Sequence, residues 1–428
     1  MTGVLSCCRG FLQELRVIPA SAEITKIKGT KNLFVCFIIC LSDIILIMKA
    51  KKSIIYFMLA VFAVSSVAAQ NNLETKDFVA NETNVKTLGR TYFADDVLWM
   101  GFSSSGVEFE INAKKLDVTF SGDSGAVMRR DNGSAARVVV FVNGERKLDE
   151  MLLSRSKTFK VFEESEPVKG LVQIIKVSES ANSLAGIKKI TVDSEGTVIP
   201  AAKRDLKIEF VGDSITCGYG VDDLNRNNHF KTSTEDNTKT YAYKTAQNLN
   251  ADYSMVSVSG WGIASGYSSD GKKNTGCLIP SIYEKTGFSW NNINGKAIQN
   301  FDWDFSKFVP DFVVVNLGTN DSSYTKGDSK KIDEYKSEYV KFLKTIRKNN
   351  PDAKIICTLG IMGQDLCDAI EDVVKIYSQE TGDTKVYSLK FDVQKESDGI
   401  AADWHPSEKT HQKAAALLTK KIQTLMGE

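Results

Sequence analysis

Residues 208–220 read IEFVGDSITCGYG. An apolar run containing Phe210 and Val211 stops at Gly212-Asp213-Ser214, and Gly218-Tyr219-Gly220 follows four residues after the serine. Gly, Asp and Ser are ordinary turn residues, so a plain strand-to-loop turn accounts for the tripeptide taken alone. A serine at the carboxyl end of a buried strand also stands where open α/β sheets bind their ligands. The flanking sequence decides between these readings.

Downstream, apolar strands are predicted at 207–211, 255–258, 311–316, 354–359 and 385–389. Helical patterns fall between them at 240–249, 330–349 and 365–379, with 407–426 closing the chain and Pro351 stopping the second helix. Strands alternating with helices imply βαβ units and a parallel sheet with right-handed crossovers. Upstream, from about Asp77 to Pro200, the grammar differs. Residues 106–111 and 116–120 alternate apolar and polar side chains, the period of a half-buried strand. Residues 137–142 run into Asn143-Gly144, a strong hairpin signal, and 172–177 and 186–192 continue the series without a convincing helix. An antiparallel β-sandwich, of jelly-roll type, is the expected architecture for 70–202, ahead of an α/β domain at 203–428.

The chemistry-bearing residues all follow parallel strands. The first strand leads to Gly212-Asp213-Ser214, the second to Ser259-Gly260-Trp261-Gly262, and the third to Gly318-Thr319-Asn320-Asp321. After the fifth comes Asp403-Trp404-His405-Pro406. A doubly wound sheet gathers these loops at one edge. Ester cleavage needs a hydroxyl nucleophile, an imidazole that takes and returns its proton, and donors for the oxyanion. Ser214, His405, a Gly260 N–H and the Asn320 amide supply that set. Each signal is weak alone; four in order at strand ends are specific.

This constellation resembles the SGNH, or GDSL-type, hydrolases. The resemblance makes Ser214 the nucleophile and His405 the base, with Ser214, Gly260 and Asn320 forming the oxyanion hole. A jelly roll joined to such a domain through RDLKIEFVGDSITCGYG is similar to family 2 of the carbohydrate esterases. Gly89-Arg90-Thr91, Tyr241-Ala242-Tyr243 and Asp403-Trp404-His405-Pro406-Ser407 add to the likeness. It implies removal of acetyl groups from plant-wall polysaccharides such as xylan and mannan, with no metal or organic cofactor. The same scaffold also hosts lipases, thioesterases and peptidoglycan O-acetylesterases, and a non-catalytic carbohydrate-binding protein is the reading from a different class. One position departs from the family pattern: where D-x-x-H is usual, Ala402 stands three residues before His405. Asp403, two before, is the candidate third member, with a backbone carbonyl as the alternative acceptor for the imidazole N–H. Trp261 and Trp404 flank the site as candidate sugar-stacking residues. Trp290 and Trp303, in a long insertion, either line a glycan cleft or pack it. His229 reads as solvated, His411 as structural, and Asp213 and Asp321 as supports for their loops.

The chain of 428 residues, 42% hydrophobic with a formal charge of +1, suggests neither a nucleic-acid binder nor a membrane-surface protein. Met48-Lys49-Ala50-Lys51-Lys52, the apolar run 54–64 and the small residues ending at Ala69 have the layout of a secretory signal peptide. The run is shorter than the roughly 20 residues of a spanning helix. Residues 1–47 read as an over-long start, and the expected destination is the periplasm or the exterior. Residues 1–69 hold 8 Lys/Arg and 3 Asp/Glu, so the remainder carries 46 against 50, near −4. Cys217, Cys277, Cys357 and Cys367 remain, with no zinc-like spacing and room for a disulfide or two.

Overall fold

The computed structural model of the protein describes residues 74–128 and 133–427. The leader, its cleavage position and Cys7, Cys8, Cys36 and Cys40 lie outside the described residues. Among the described residues, no helix is long and apolar enough to cross a membrane.

Ten antiparallel strands build the first domain: β1 (Thr75–Phe78), β2 (Lys86–Leu88), β3 (Thr91–Ala94), β4 (Val97–Met100), β5 (Gly106–Gly122), β6 (Ala136–Val142), β7 (Glu145–Leu152), β8 (Ser156–Lys176), β9 (Ala185–Asp193) and β10 (Thr197–Pro200). The two strands expected at 106–111 and 116–120 are one 17-residue strand. Register shifts between Ala113 and Lys115, and again between Leu116 and Asp117, interrupt it. Its first half pairs with β2 and β10, its second with β9, and β8 accompanies it throughout. Bulges of this kind bend a strand, and they account for the alternation restarting midway. Asn143 and Gly144, both at positive φ, close the predicted hairpin between β6 and β7. A single helical turn, α1 (Gly125–Met128), interrupts the strands.

The second domain is a five-stranded parallel sheet in the order β12-β11-β15-β16-β17. Its strands are β11 (Lys207–Gly212), β12 (Asp252–Ser257), β15 (Phe312–Asn316), β16 (Lys354–Leu359) and β17 (Val386–Lys390); a two-stranded hairpin, β13 (Asn292–Ile293) and β14 (Lys296–Ala297), sits in the insertion. Helices α3 (Tyr241–Asn248) and α7 (Glu408–Met426) pack on one face, where Ile208, Phe210 and Val314 meet Ala242, Ala246, Ala415 and Leu418. Helices α5 (Ser329–Asn349) and α6 (Cys367–Thr381) cover the other, where Val211, Val313 and Val315 meet Tyr339, Leu343 and Val373. Burial on both faces is why these strands read as continuous apolar runs. Two short helices escape the sequence periodicity: α2 (Ser214–Cys217) and α4 (Thr319–Thr325).

The domains share an interior. Leu88, Val139, Ile175 and Val177 of the β domain lie in one cluster with Ile208, Phe210 and Tyr241. Arg90, fully buried, sends Nη2 to Glu209 on β11 at 3.0 Å. Its Nη1 donates to the carbonyls of Tyr283 and Lys285, and its guanidinium lies 5.2–5.4 Å from the rings of Tyr283, Trp303 and Phe305. Tyr283 Oη donates to the other Glu209 oxygen at 2.8 Å. Removing one member of such a pair strands the other charge, at a cost of about 3–5 kcal/mol. Arg90→Ala is therefore expected to lower the urea unfolding free energy by about that amount, and a loss below ~1 kcal/mol would show the pair to be dispensable.

Candidate active site

Strand β11 is the central pivot: β12 leaves on one side of it and β15 on the other, both parallel to it. The loops after all three strands therefore converge on the end of β11, the switch point of the sheet. Gly212 ends the strand because a Cβ there would lie 2.0 Å from Thr216 Oγ1 in the turn that follows. Asp213 caps α2, its carboxylate accepting the Ile215 N–H at 3.0 Å, and Gly218 closes the turn at φ 87°. Ser214 is the first residue of that turn and is 6% exposed.

His405 arrives from the loop before α7. Its Nε2 lies 2.9 Å from Ser214 Oγ. Its Nδ1 faces two backbone carbonyls, Ala402 O at 3.2 Å and Asp403 O at 3.1 Å. The Asp403 carboxylate is elsewhere, which corrects its candidacy as the group orienting the imidazole. Oδ2 accepts Tyr219 Oη at 2.7 Å and the Phe230 N–H at 3.0 Å, while Oδ1 lies 3.0 Å from His229 Nδ1. The physical reason is the backbone: Asp403 (φ 49°) and Trp404 (φ 67°) are both left-handed, which turns the carbonyl of Asp403, not its side chain, toward His405. Such conformations cost ~1–3 kcal/mol each and need support from outside. Here the Asp403 N–H donates to Asn228 O, Ala402 N–H to Asp223 O, and Gln394 to Trp404 O. Burial works against the Asp403 charge, but Tyr219, His229 and Phe230 hold it below the usual carboxylate range. Tyr219 also stacks on the His405 ring, centroids 3.9 Å apart, and on Phe230 at 4.4 Å. Packing pushes the imidazole down to about 4, opposed by the two carbonyls and by Asp403.

The loop after β12 carries Gly260 at φ 80° with open space where a Cβ would stand. Neither its N–H nor that of Ser214 has an acceptor among the described residues. Asp321 of α4 holds the far side of this loop, accepting the N–H groups of Ile263, Ala264 and Ser265 at 2.7–3.2 Å. Burial raises the Asp321 carboxyl to about 6 and that of Asp213 to about 7. Asn320 donates Nδ2 to Trp261 O at 2.9 Å and, longer, to Asp213 Oδ2 at 3.2 Å.

The tryptophans divide. Trp261 is 4% exposed and packs edge-on to Phe288 at 4.5 Å, so its ring belongs to the core and cannot present a face to a sugar. Trp404 is 54% exposed, with the Arg226 guanidinium 4.5 Å above its ring, and Trp290 is 65% exposed. Trp303 is buried against Arg90. His229 is exposed yet engaged with Asp403. His411 is buried and its Nδ1 accepts the Tyr241 N–H at 3.1 Å. Cys217, Cys277, Cys357 and Cys367 are free thiols, so no disulfide forms among the described residues. Tyr219 was the residue to miss: Gly218-Tyr219-Gly220 looks like turn punctuation, and nothing local says the ring covers an imidazole 186 positions on.

A strand-end serine bonded to a histidine from the last loop, with flanking glycine and asparagine donors, defines a GDSL-type hydrolase domain. Residues 208–418 match the GDSL-like Lipase/Acylhydrolase family, and residues 87–201 match the Carbohydrate esterase 2 N-terminal family. A family two carbohydrate esterase from Clostridium thermocellum, solved in complex with cellohexaose, is 31% identical, with a TM-score of 0.69 over 80% of this chain and 99% of that one. The cellulase/esterase CelE of Acetivibrio thermocellus is 37% identical over 251 residues, 57% of this chain but only 29% of that protein, so the chain spans under a third of its length. An acetylxylan esterase / glucomannan deacetylase of Cellvibrio japonicus is 24% identical over 357 residues, 82% of this chain and 92% of that one. The chain belongs to family 2 of the carbohydrate esterases.

Were Asp403 the direct partner of Nδ1, Asp403→Asn would cost on the order of 10⁴ in turnover. With a carbonyl in that place, the amide still accepts the Phe230 N–H, and a loss of about tenfold is expected. Turnover of an aryl acetate separates these outcomes.

Proposed function

We propose that this protein is an exported carbohydrate O-acetylesterase acting on plant-wall polysaccharides, of the acetylated xylan and glucomannan class. The observation that carries the reading is the 2.9 Å contact between Ser214 Oγ and His405 Nε2, flanked by the N–H groups of Ser214 and Gly260, which have no acceptor among the described residues. The leader-like sequence before Gln70 supports export.

The reaction is acyl transfer. His405 takes the Ser214 proton as Oγ attacks the acetyl carbonyl, and the resulting imidazolium is steadied by the two carbonyls at Nδ1. The oxyanion forms between the N–H groups of Ser214 and Gly260. Asn320 joins them by exchanging its longer bond to Asp213 for one to the oxyanion. His405 then protonates the departing sugar hydroxyl, and water repeats the sequence to release acetate. The exposed rings of Trp290 and Trp404 offer platforms for sugar faces. Each chemical role falls to a side chain or backbone group of this chain, without a metal or organic cofactor.

Acetate release from acetylated xylan and glucomannan tests the reading. Ser214→Ala and His405→Ala should each abolish it while leaving the fold intact, and substantial residual turnover in either would overturn the assignment. Asn320→Ala should retain function at a turnover lower by about 10²–10³. Hydrolysis of an aryl acetate with silence on both polysaccharides would keep the chemistry and move the substrate elsewhere.

The pH profile follows from the same geometry. The base works only as neutral imidazole, and packing disfavours the protonated form, so its titration in the free enzyme moves down from 6.5 to about 4. kcat/KM for an aryl acetate should keep its imidazole-controlled acid limb near 4, and any gentler decline between 7 and 5 belongs to protonation of Asp213 and Asp321. An acid limb near 6.5 would mean an imidazole in ordinary solvent.

A further inference from the structure

A loop of the β domain reaches the backbone of the oxyanion loop directly. Residues 178–183, Ser-Glu-Ser-Ala-Asn-Ser, join β8 to β9 and lie against the loops that carry the chemistry. Glu179 is 4% exposed. Its Oε2 accepts the N–H of Ser259, the residue before Gly260, at 2.8 Å. The same oxygen lies 3.6 Å from Cys217 Sγ, at the end of the turn that begins with Ser214. Its Oε1 accepts from Asn182 Nδ2 at 2.9 Å, and its own N–H donates to Glu235 Oε2 at 2.8 Å. Every polar atom of Glu179 that could wander is therefore tied.

The consequence for Gly260 is geometric. Its loop is held on the C-terminal side by Asp321, which accepts three successive N–H groups from Ile263 to Ser265. On the N-terminal side it is held by Glu179. Gly260 lies between the two carboxylates, left-handed and without a side chain; its carbonyl accepts the Tyr267 N–H at 2.8 Å, while its own N–H has no acceptor among the described residues. A donor so placed is aimed only by its neighbours, and oxyanion stabilisation depends on where that N–H points. Asp321 belongs to the same domain as the loop; Glu179 does not.

We propose that Glu179 is a positioning residue for the oxyanion hole, and that delivering its carboxylate to the Ser259 N–H is a catalytic duty of the β domain. The proposal rests on the esterase reading above. The surroundings fit a carboxylate held in place rather than one that exchanges ligands. Glu179, Cys217 and Glu235 bring three potential ligand atoms within 4.8 Å of one another. Both carboxylates also interact with the fully buried Lys176 ammonium, which supplies positive charge from the protein itself. Burial, and next the neighbouring Glu179, raise the Glu235 carboxyl well above its ordinary range, with Lys176 and Arg137 pulling the other way. The same loop reaches further along the rim: Ala181 O accepts the Trp290 N–H at 3.0 Å, and Asn182 O accepts from Asn291 Nδ2 at 2.6 Å.

The test is steady-state kinetics of the full chain on an aryl acetate, with thermal unfolding as the control. Glu179→Ala should lower kcat by about 10- to 100-fold with KM changed less than about threefold. Glu179→Gln still offers an oxygen to the Ser259 N–H and should stay within about fivefold of wild type. Glu179→Ala combined with Asn320→Ala should cost clearly less than the product of the single losses, because both act on one oxyanion. Wild-type kcat in a folded Glu179→Ala protein, a loss confined to KM, or full multiplicativity with Asn320→Ala would each overturn the proposal. If the alanine variant unfolds, Glu179→Asp, which keeps the charge but withdraws the carboxylate by one methylene, is read by the same criteria. Ser214→Ala run in parallel separates the two levels. Its retained activity would sink the esterase mechanism, whereas its silence with an undisturbed Glu179→Ala sinks only the positioning role.

Discussion

Everything at the site depends on strand order. Because β12 and β15 flank β11, the glycine loop and the asparagine loop must emerge on opposite sides of Ser214. Gly212 then lets the chain turn into α2 with no side chain between strand and helix. A nucleophile so placed is rigid through its backbone, and the groups around it need only be aimed. The aiming is done by carboxylates accepting backbone N–H groups: buried Asp213 in its own turn, buried Asp321 in the glycine loop, and half-exposed Asp403, which ties the turn presenting the histidine to Phe230. None of these three carboxylates contacts the Ser214 hydroxyl or the His405 ring nitrogens. They fix main-chain geometry, which a loop alone would leave mobile.

Most of the α/β domain was legible because parallel strands buried on both faces leave continuous apolar runs, and because Gly, Asp and Ser cluster where they end. Ser214, Gly260, Asn320 and His405 stand out for the same reason. What sequence spacing does not encode is side-chain direction under unusual backbone angles. The two-residue interval from Asp403 to His405 left open whether a carboxylate or a carbonyl meets Nδ1. Left-handed angles at Asp403 and Trp404 decide it, and Trp is a residue in which such angles are not anticipated. Burial of a single aromatic is equally silent: Trp261 and Trp404 both neighbour site residues, yet only the second is exposed.

The β domain was harder. Its alternation was readable in short windows, but β5 and β8 are long bent strands whose bulges reset the pattern, so one strand looked like two. Glu179 was invisible for another reason. In a run of serine, alanine and asparagine it resembles any polar turn, and its partner Ser259 lies 80 positions away.

The shared interior has an evolutionary side. A side chain of the first domain, Arg90, neutralises a charge in the central strand of the second, and apolar residues of both fill one cluster. A recombination event that took either half alone would expose a hydrophobic face and strand Glu209 without its counter-ion. Cutting the chain between the two halves would thus leave neither with a closed interior, and the boundary that looks like a linker in the sequence is the place where a cut does most harm.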